Sequence, residues 1–162
     1  DRGIVHALAL SDGRFVDAPR EQLNLLDRKA RRHAQEVARS KRGSKRWLKA
    51  RRRLAAVKAR AARVRRHFNH VASARLARSY GLVVIEALRT KAMTASARGT
   101  LEEPGSKVRQ KAGLNRSILE IGWTQFETFL TYKLMAAGGE LRKVHPQHTS
   151  TTCSCCGLNE KT

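Results

Sequence analysis

Between Arg28 and Arg78 the chain carries twenty lysines and arginines and one acid, Glu36. The apolar residues of this region are sparse but regularly placed. Leu23, Leu26, Ala30 and Val37 keep helical spacing before a break at Lys41-Arg42-Gly43-Ser44. Beyond it, Leu54, Val57, Ala61, Val64, Phe68 and Val71 recur at alternating steps of three and four. A seam that narrow suits the packing of two helices, so the spacing predicts an antiparallel helical pair over about residues 21–80, joined at Gly43. Solvated charged faces normally mix signs. Here one sign dominates, and the favoured partner is a polyanion. Arg28, Arg31, Arg32, Lys45, Arg46, Lys49, Arg52, Arg53, Arg60, Arg63 and Arg66 are the expected phosphate contacts.

Whole-chain composition agrees. Lys plus Arg number 34 against 13 Asp plus Glu, a net charge of +21, and 41% of the 162 residues are hydrophobic, enough for a core. Such a charge repels itself unless a polyanion neutralises it, and phosphate backbones do so with release of counterions. An anionic membrane surface competes as a partner, but no apolar run approaches the roughly 18 residues of a membrane span. The opening Asp1-Arg2 is not a signal peptide. Three cysteines within four positions, Cys153, Cys155 and Cys156, build no disulfide framework and are expected to be reduced thiols in a cytoplasmic protein. An opening residue other than Met, and an end only six residues after the last cysteine, are expected of a piece of something longer.

Around the basic region the period changes. Residues 4–18, "IVHALALSDGRFVDA", alternate about a turn at Ser11-Asp12-Gly13 and predict a β-hairpin whose first strand, apolar on both faces, lies inside a sheet. "GLVVIEAL", Gly81 to Leu88, predicts a buried strand. Arg89 to Lys111 is expected to be a loop. Leu119, Trp123, Phe126, Leu130 and Leu134 predict one helix capped by Asn115 and stopped at Gly138-Gly139, with "ELRKVHP" as a last strand. Strands interleaved with helices give α/β order.

Two carboxylates sit at strand positions, Asp1 at the start of the first and Glu86 at the end of "LVVIE". A carboxylate at a core strand needs a reason. Neighbouring carboxylates can hold Mg²⁺ or Mn²⁺, and paired metals assist in-line phosphodiester cleavage. A salt bridge from Glu86 to Arg89 or another cation explains it equally well. At the end of the chain, Cys153 and Cys156 flank Ser154-Cys155, with Gly157 next, and have the spacing of half a Zn²⁺ site. His145 and His148 are weaker candidate ligands, and a redox pair is the competing use of the thiols.

"DRGIVHALALSDG", "LVVIEAL", "NRSILEIGWTQFETFLTYKL" and "HPQHTSTTCSCCG" resemble, in this order, the nuclease half of the TnpB proteins. These are OrfB-type transposases related to the type V CRISPR effector nucleases. The resemblance covers essentially the whole chain. It implies an α/β, RNase H-like (RuvC-like) sheet over residues 1–144, with the helical hairpin as an insertion, and the first half of a zinc ribbon over 145–162. It further implies a metal-dependent, RNA-guided DNA endonuclease with DNA and guide RNA as partners, no membrane and no small-molecule substrate. Carried over residue by residue, Asp1 and Glu86 take the positions of the first two catalytic carboxylates. The third, with the second Cys-x-x-Cys, is expected after Thr162. A chain lacking it is expected to bind nucleic acid without cutting it, which is the alternative to an active nuclease.

Overall fold

A computed structural model describes residues 1–146, so Cys153, Cys155, Cys156 and His148 lie outside the described residues. The architecture is mixed α/β and mostly helical. It comprises β1 (Leu8–Ala9), β2 (Phe15–Val16), α1 (Arg20–Arg39), α2 (Lys45–Ser79), β3 (Leu82–Glu86), α3 (Thr90–Met93), α4 (Val108–Ile121), α5 (Trp123–Ala136) and β4 (Glu140–Val144).

The basic region forms the expected helical pair. Gly43 takes φ +84° in the turn, and Ser44 caps α2 by accepting a hydrogen bond from the Trp47 N–H at 3.2 Å. At about 1.5 Å per residue, the 35 residues of α2 run about 53 Å. Its N-terminal half packs mainly on α1, where Leu23 and Leu26 are buried. Its C-terminal half sinks into the protein, so that Asn69, Ala72, Ser73, Leu76 and Ala77 are buried, and here it packs along α5. One helix thus serves as both projecting arm and core element. Leu8, Phe126, Leu130 and Leu134 complete that core, while Ala7, Ala18, Ile118, Ile121 and Trp123 form a second cluster beside it.

The C-terminal helix is two helices. Gly122 breaks it with φ +74° and serves as the C-cap of α4 and the entry to α5. Carbonyls at the break receive hydrogen bonds from α2. Arg65 Nε donates to Glu120 O at 2.8 Å, and Asn69 Nδ2 donates to Ile121 O at 3.2 Å and Gly122 O at 3.3 Å. The expected stripe holds only from Trp123 onward: Leu119 is exposed, α4 buries Ile118 and Ile121 with Trp123 in the second cluster, and Phe126, Leu130 and Leu134 of α5 face the first. Asn115 is no cap. It lies inside α4 and donates to Thr94 O (2.9 Å) and Ala95 O (3.0 Å), tethering the loop before the helix. That loop is shorter than expected, since α3 and the start of α4 both fall within residues 89–111.

The strands depart furthest from expectation. In place of one sheet there are two separate two-stranded sheets, an antiparallel β1–β2 pair and a parallel β3–β4 pair in register from Leu82↔Glu140 to Glu86↔Val144. The first strand is not interior. Residues 4–7 bend, Val5 is exposed, and the chain doubles back so that Arg2 bridges Leu8. The hairpin turn is where the sequence placed it, with Gly13 at φ +82°. Strand β3 is half-buried: Val83 and Ile85 pack on the core, whereas Leu82 and Val84 are exposed because nothing among the described residues covers that face. Gly138, at φ +72°, ends the last helical turn as expected.

Candidate functional site

Among the described residues, strand β3 pairs with β4 on one edge only. Along its other edge runs a cavity of about 540 Å³, lined by all of β3, by Leu8 and Ala9 of β1, and by Asp1. The two candidate residues, Asp1 beside β1 and Glu86 at the end of β3, therefore line one space. The backbone of Asp1 is fixed against β1 by reciprocal hydrogen bonds with Ala9, each 2.9 Å. Glu86 is fixed at the end of its ladder, where Ala87 N donates to Val144 O at 2.8 Å. The salt bridge from Glu86 to Arg89 does not form, and among the described residues no cation pairs with the Glu86 carboxylate.

A residue that sequence reasoning missed ties the two together. Arg2, next to Asp1, is buried, with its side chain only 2% exposed. Its guanidinium donates through Nη2 to the carbonyl of Glu86 and through Nη1 to Glu127 Oε2 at 3.1 Å on α5. Lys143 on β4 holds the other oxygen of Glu127. Burial pushes the Glu127 carboxyl up, but the hydrogen bond and charge of Lys143, then those of Arg2, outweigh it and leave it below the usual carboxylate value. N-terminal segment, β3, β4 and α5 thus converge on one ion cluster behind the cavity. The available signal was a charged residue within an otherwise apolar opening segment, since a buried charge demands a partner. Its partner, more than a hundred positions away, is not visible in any local pattern.

Two oxygen donors at one cavity are suited in kind to Mg²⁺ or Mn²⁺, which accept carboxylate oxygens and keep several waters. Among the described residues no group of three or more His, Cys, Asp or Glu side chains could hold a metal ion. His145, a candidate zinc ligand, follows directly on β4 and is exposed.

The second feature is the arm. Arg28, Arg31 and Arg32 on α1 are all exposed, as are Lys45, Arg46, Lys49, Arg52, Arg53, Arg60, Arg63 and Arg66 on α2. Of these, only Arg31 has a direct acidic partner among the described residues, Asp27 one turn earlier. The other ten make no ion pair among the described residues, although Arg32 and Arg53 lie within reach of the charge on Glu36. From Lys45 to Arg66, about 32 Å of helix, with the α1 charges alongside, they form a field that a phosphate backbone can neutralise. No described helix is long and apolar enough to cross a membrane.

The described residues thus combine a cationic helical arm with a core in which Asp1 and Glu86 line one cavity. Comparison with known proteins narrows the class. Residues 1–97 match the family model described as "Probable transposase" (OrfB_IS605), and residues 123–162 match the "Cas12f1-like, TNB domain". The chain belongs to the OrfB_IS605 transposase family. It is 34% identical over 161 residues to "Putative RNA-guided DNA endonuclease InsQ" of Escherichia coli strain K12, covering 99% of this chain and 40% of that protein. It is 31% identical over 159 residues to a "Putative RNA-guided DNA endonuclease" of Streptomyces pristinaespiralis, covering 97% of this chain and 35% of that protein. The chain therefore spans about two fifths or less of the length of these relatives.

Proposed function

We infer that this chain contributes the nuclease portion of a metal-dependent, RNA-guided DNA endonuclease with RNase H-like (RuvC-like) chemistry. The observation that carries the inference is the convergence of Asp1 and Glu86 on one cavity. Family membership supplies the reaction class, and the exposed arm supplies the means of holding DNA or guide RNA. In this reading Asp1 and Glu86 would hold Mg²⁺ or Mn²⁺. Such an ion, when bound, stabilises the attacking and leaving oxygens of a phosphodiester in line. Asp1 presents its carboxylate from a backbone clamped to Ala9, and Glu86 presents its own from a backbone clamped by Arg2 and Val144. Arg28, Lys49, Arg53 and their neighbours fix the nucleic acid through phosphates, which position without reading sequence. Cys153 and Cys156 would supply half of a Zn²⁺ site.

A second reading, nucleic-acid binding without cleavage by this chain, is favoured by the lack of a third metal-ligating side chain near the pair among the described residues. One experiment separates the two. Mn²⁺ binding by the 162-residue chain is followed by loss of the free-ion electron paramagnetic resonance signal, alongside cleavage of labelled DNA. Weak Mn²⁺ binding removed by Glu86→Gln, with no more than trace cutting, supports two carboxylates sharing an ion but needing a third. Extending the chain past Thr162 then restores cutting, and Asp1→Ala or Glu86→Ala abolishes it. Robust metal-dependent cutting by the 162-residue chain that survives Glu86→Ala would overturn the assignment.

A further inference from the structure

Beside the buried stripe of α5, three rings and Lys133 meet where α2 packs along α5. His70 on α2 stacks on Phe129 of α5, with centroids 3.9 Å apart and planes at 23°. Tyr132, one turn further along α5, meets Phe129 edge-on at 6.1 Å. Lys133 lies 5.7 Å from the Phe129 ring and 5.8 Å from the Tyr132 ring. It is anchored there by donating to His70 O at 2.6 Å and Ser73 Oγ at 2.8 Å. Arg66 stands one turn before His70 on α2 and is exposed.

Helix packing accounts for His70 and Phe129, which bridge the two helices. It does not account for Tyr132. That ring is 46% exposed, and its hydroxyl has no partner among the described residues. Covering this exposed ring with an uncharged apolar surface would strip water from the anchored Lys133 ammonium beside it, at a cost that no new charge offsets. It matches a partner whose flat apolar face is joined to an anion. Burial, with the charges of Lys133, Arg66 and His67, holds the His70 imidazole below its ordinary value, so its stacked ring is neutral near pH 7.

We propose that Tyr132, backed by Phe129 and His70 and flanked by Lys133 and Arg66, is a stacking platform for an unpaired nucleobase of a single-stranded nucleic acid. Bases within a duplex have both faces occupied by their neighbours, so the platform selects single strands. Every base has a π-face, so it does so with little regard for sequence. The site is distinct from the carboxylate cavity and shares only Arg66 with the phosphate contacts of the arm, and it rests on nucleic acid being the partner of this chain.

The test is fluorescence anisotropy with the 162-residue chain and labelled strands of about 12 nucleotides. Single-stranded DNA, single-stranded RNA, a duplex and an abasic single strand are compared at about 0.3 M salt, where phosphate contacts are weakened. Tyr132→Ala is expected to lower single-strand affinity roughly 10-fold while leaving duplex and abasic affinity unchanged, and Tyr132→Phe retains the wild-type value. The DNA and RNA arms show which strand the platform prefers. Equal loss toward abasic and intact strands, or no loss at all, would overturn the platform while leaving the arm's binding intact. If the wild-type chain bound none of the four, the platform and the arm would fall together.

Discussion

Replacing Glu127 by Gln tests whether the ion cluster behind the cavity holds the fold together. The Arg2 side chain is 2% exposed, and Glu127, at 22%, is its one acidic partner among the described residues. Removing one member of a buried ion pair costs about 3–5 kcal/mol, because the survivor is left charged in a poorly solvated place. Gln keeps a neutral acceptor for the 3.1 Å contact from Arg2. A retained hydrogen bond is worth about 1 kcal/mol, so the expected loss is about 2–4 kcal/mol. For a chain of this size that lowers Tm by about 4–16 °C. Lys143→Gln is the control: its side chain is 52% exposed, and an exposed pair contributes about 0–1 kcal/mol. Adding Arg2→Met to Glu127→Gln removes the stranded charge, so the double variant recovers part of the loss. Because the folded Glu127 carboxyl lies below its unfolded value of 4.5, its contribution is fully present above that value and is lost as pH falls through the folded one. The wild-type advantage over Glu127→Gln therefore narrows in acid. Thermal unfolding by circular dichroism between pH 3 and about pH 7 reads all of this. A Glu127→Gln loss no larger than that of Lys143→Gln, or strict additivity in the double variant, would refute the buried-charge reasoning.

Three further outcomes are expected. Arg52→Gln with Arg53→Gln weakens duplex binding uniformly across sequences and lowers the slope of log affinity against log salt by up to about 1.8, checked by salt titration; a flat salt response in the wild type would contradict phosphate contact. Gly122→Ala puts an L residue at φ +74° with its Cβ 2.8 Å from Arg65 Cδ, and is expected to lose about 2–3 kcal/mol in denaturant unfolding. Burial first, then the Asp27 charge, raises the Glu120 carboxyl, so its ionisation opposes folding; Glu120→Gln is expected to raise Tm near pH 7, with the gain fading as pH falls through the raised folded value and gone once pH is below the unfolded value of 4.5.

The helices were legible because their periods are local. Leu23 and Leu26 fall on the buried stripe of α1, and the Gly43 turn lies where the apolar series breaks. The Gly122 break was hidden for the same reason. Trp123, Phe126, Leu130 and Leu134 keep helical spacing and are all buried, and only the φ of one glycine and two donors on α2 reveal that the axis is interrupted before them. Strand burial was legible only in part. The apolar run of β3 predicts an interior position, but how many faces are covered depends on neighbours that the run does not encode, and here Leu82 and Val84 remain exposed. Asp1 and Glu86 could be singled out because carboxylates are conspicuous in apolar segments. Arg2 was equally conspicuous but went unread, because its meaning lies in Glu127 and Lys143, which reach it only through the fold.

The parallel pairing of β3 with β4 also has a kinetic side. The two helices of the arm are neighbours along the chain and can dock after closing a turn of a few residues. The β3–β4 ladder joins Leu82 to Glu140 across all of α3, α4 and α5, and a parallel pair cannot be shortened to a hairpin. Its contacts must wait until α5 has settled along α2, because the entropy of closing that long segment is offset only once the intervening helices are in place. Refolding therefore builds the arm early and the ladder late. Glu86 is held by Val144 and Arg2 only when that last step is complete, so a partly folded chain already carries its cationic arm before its two carboxylates share a cavity.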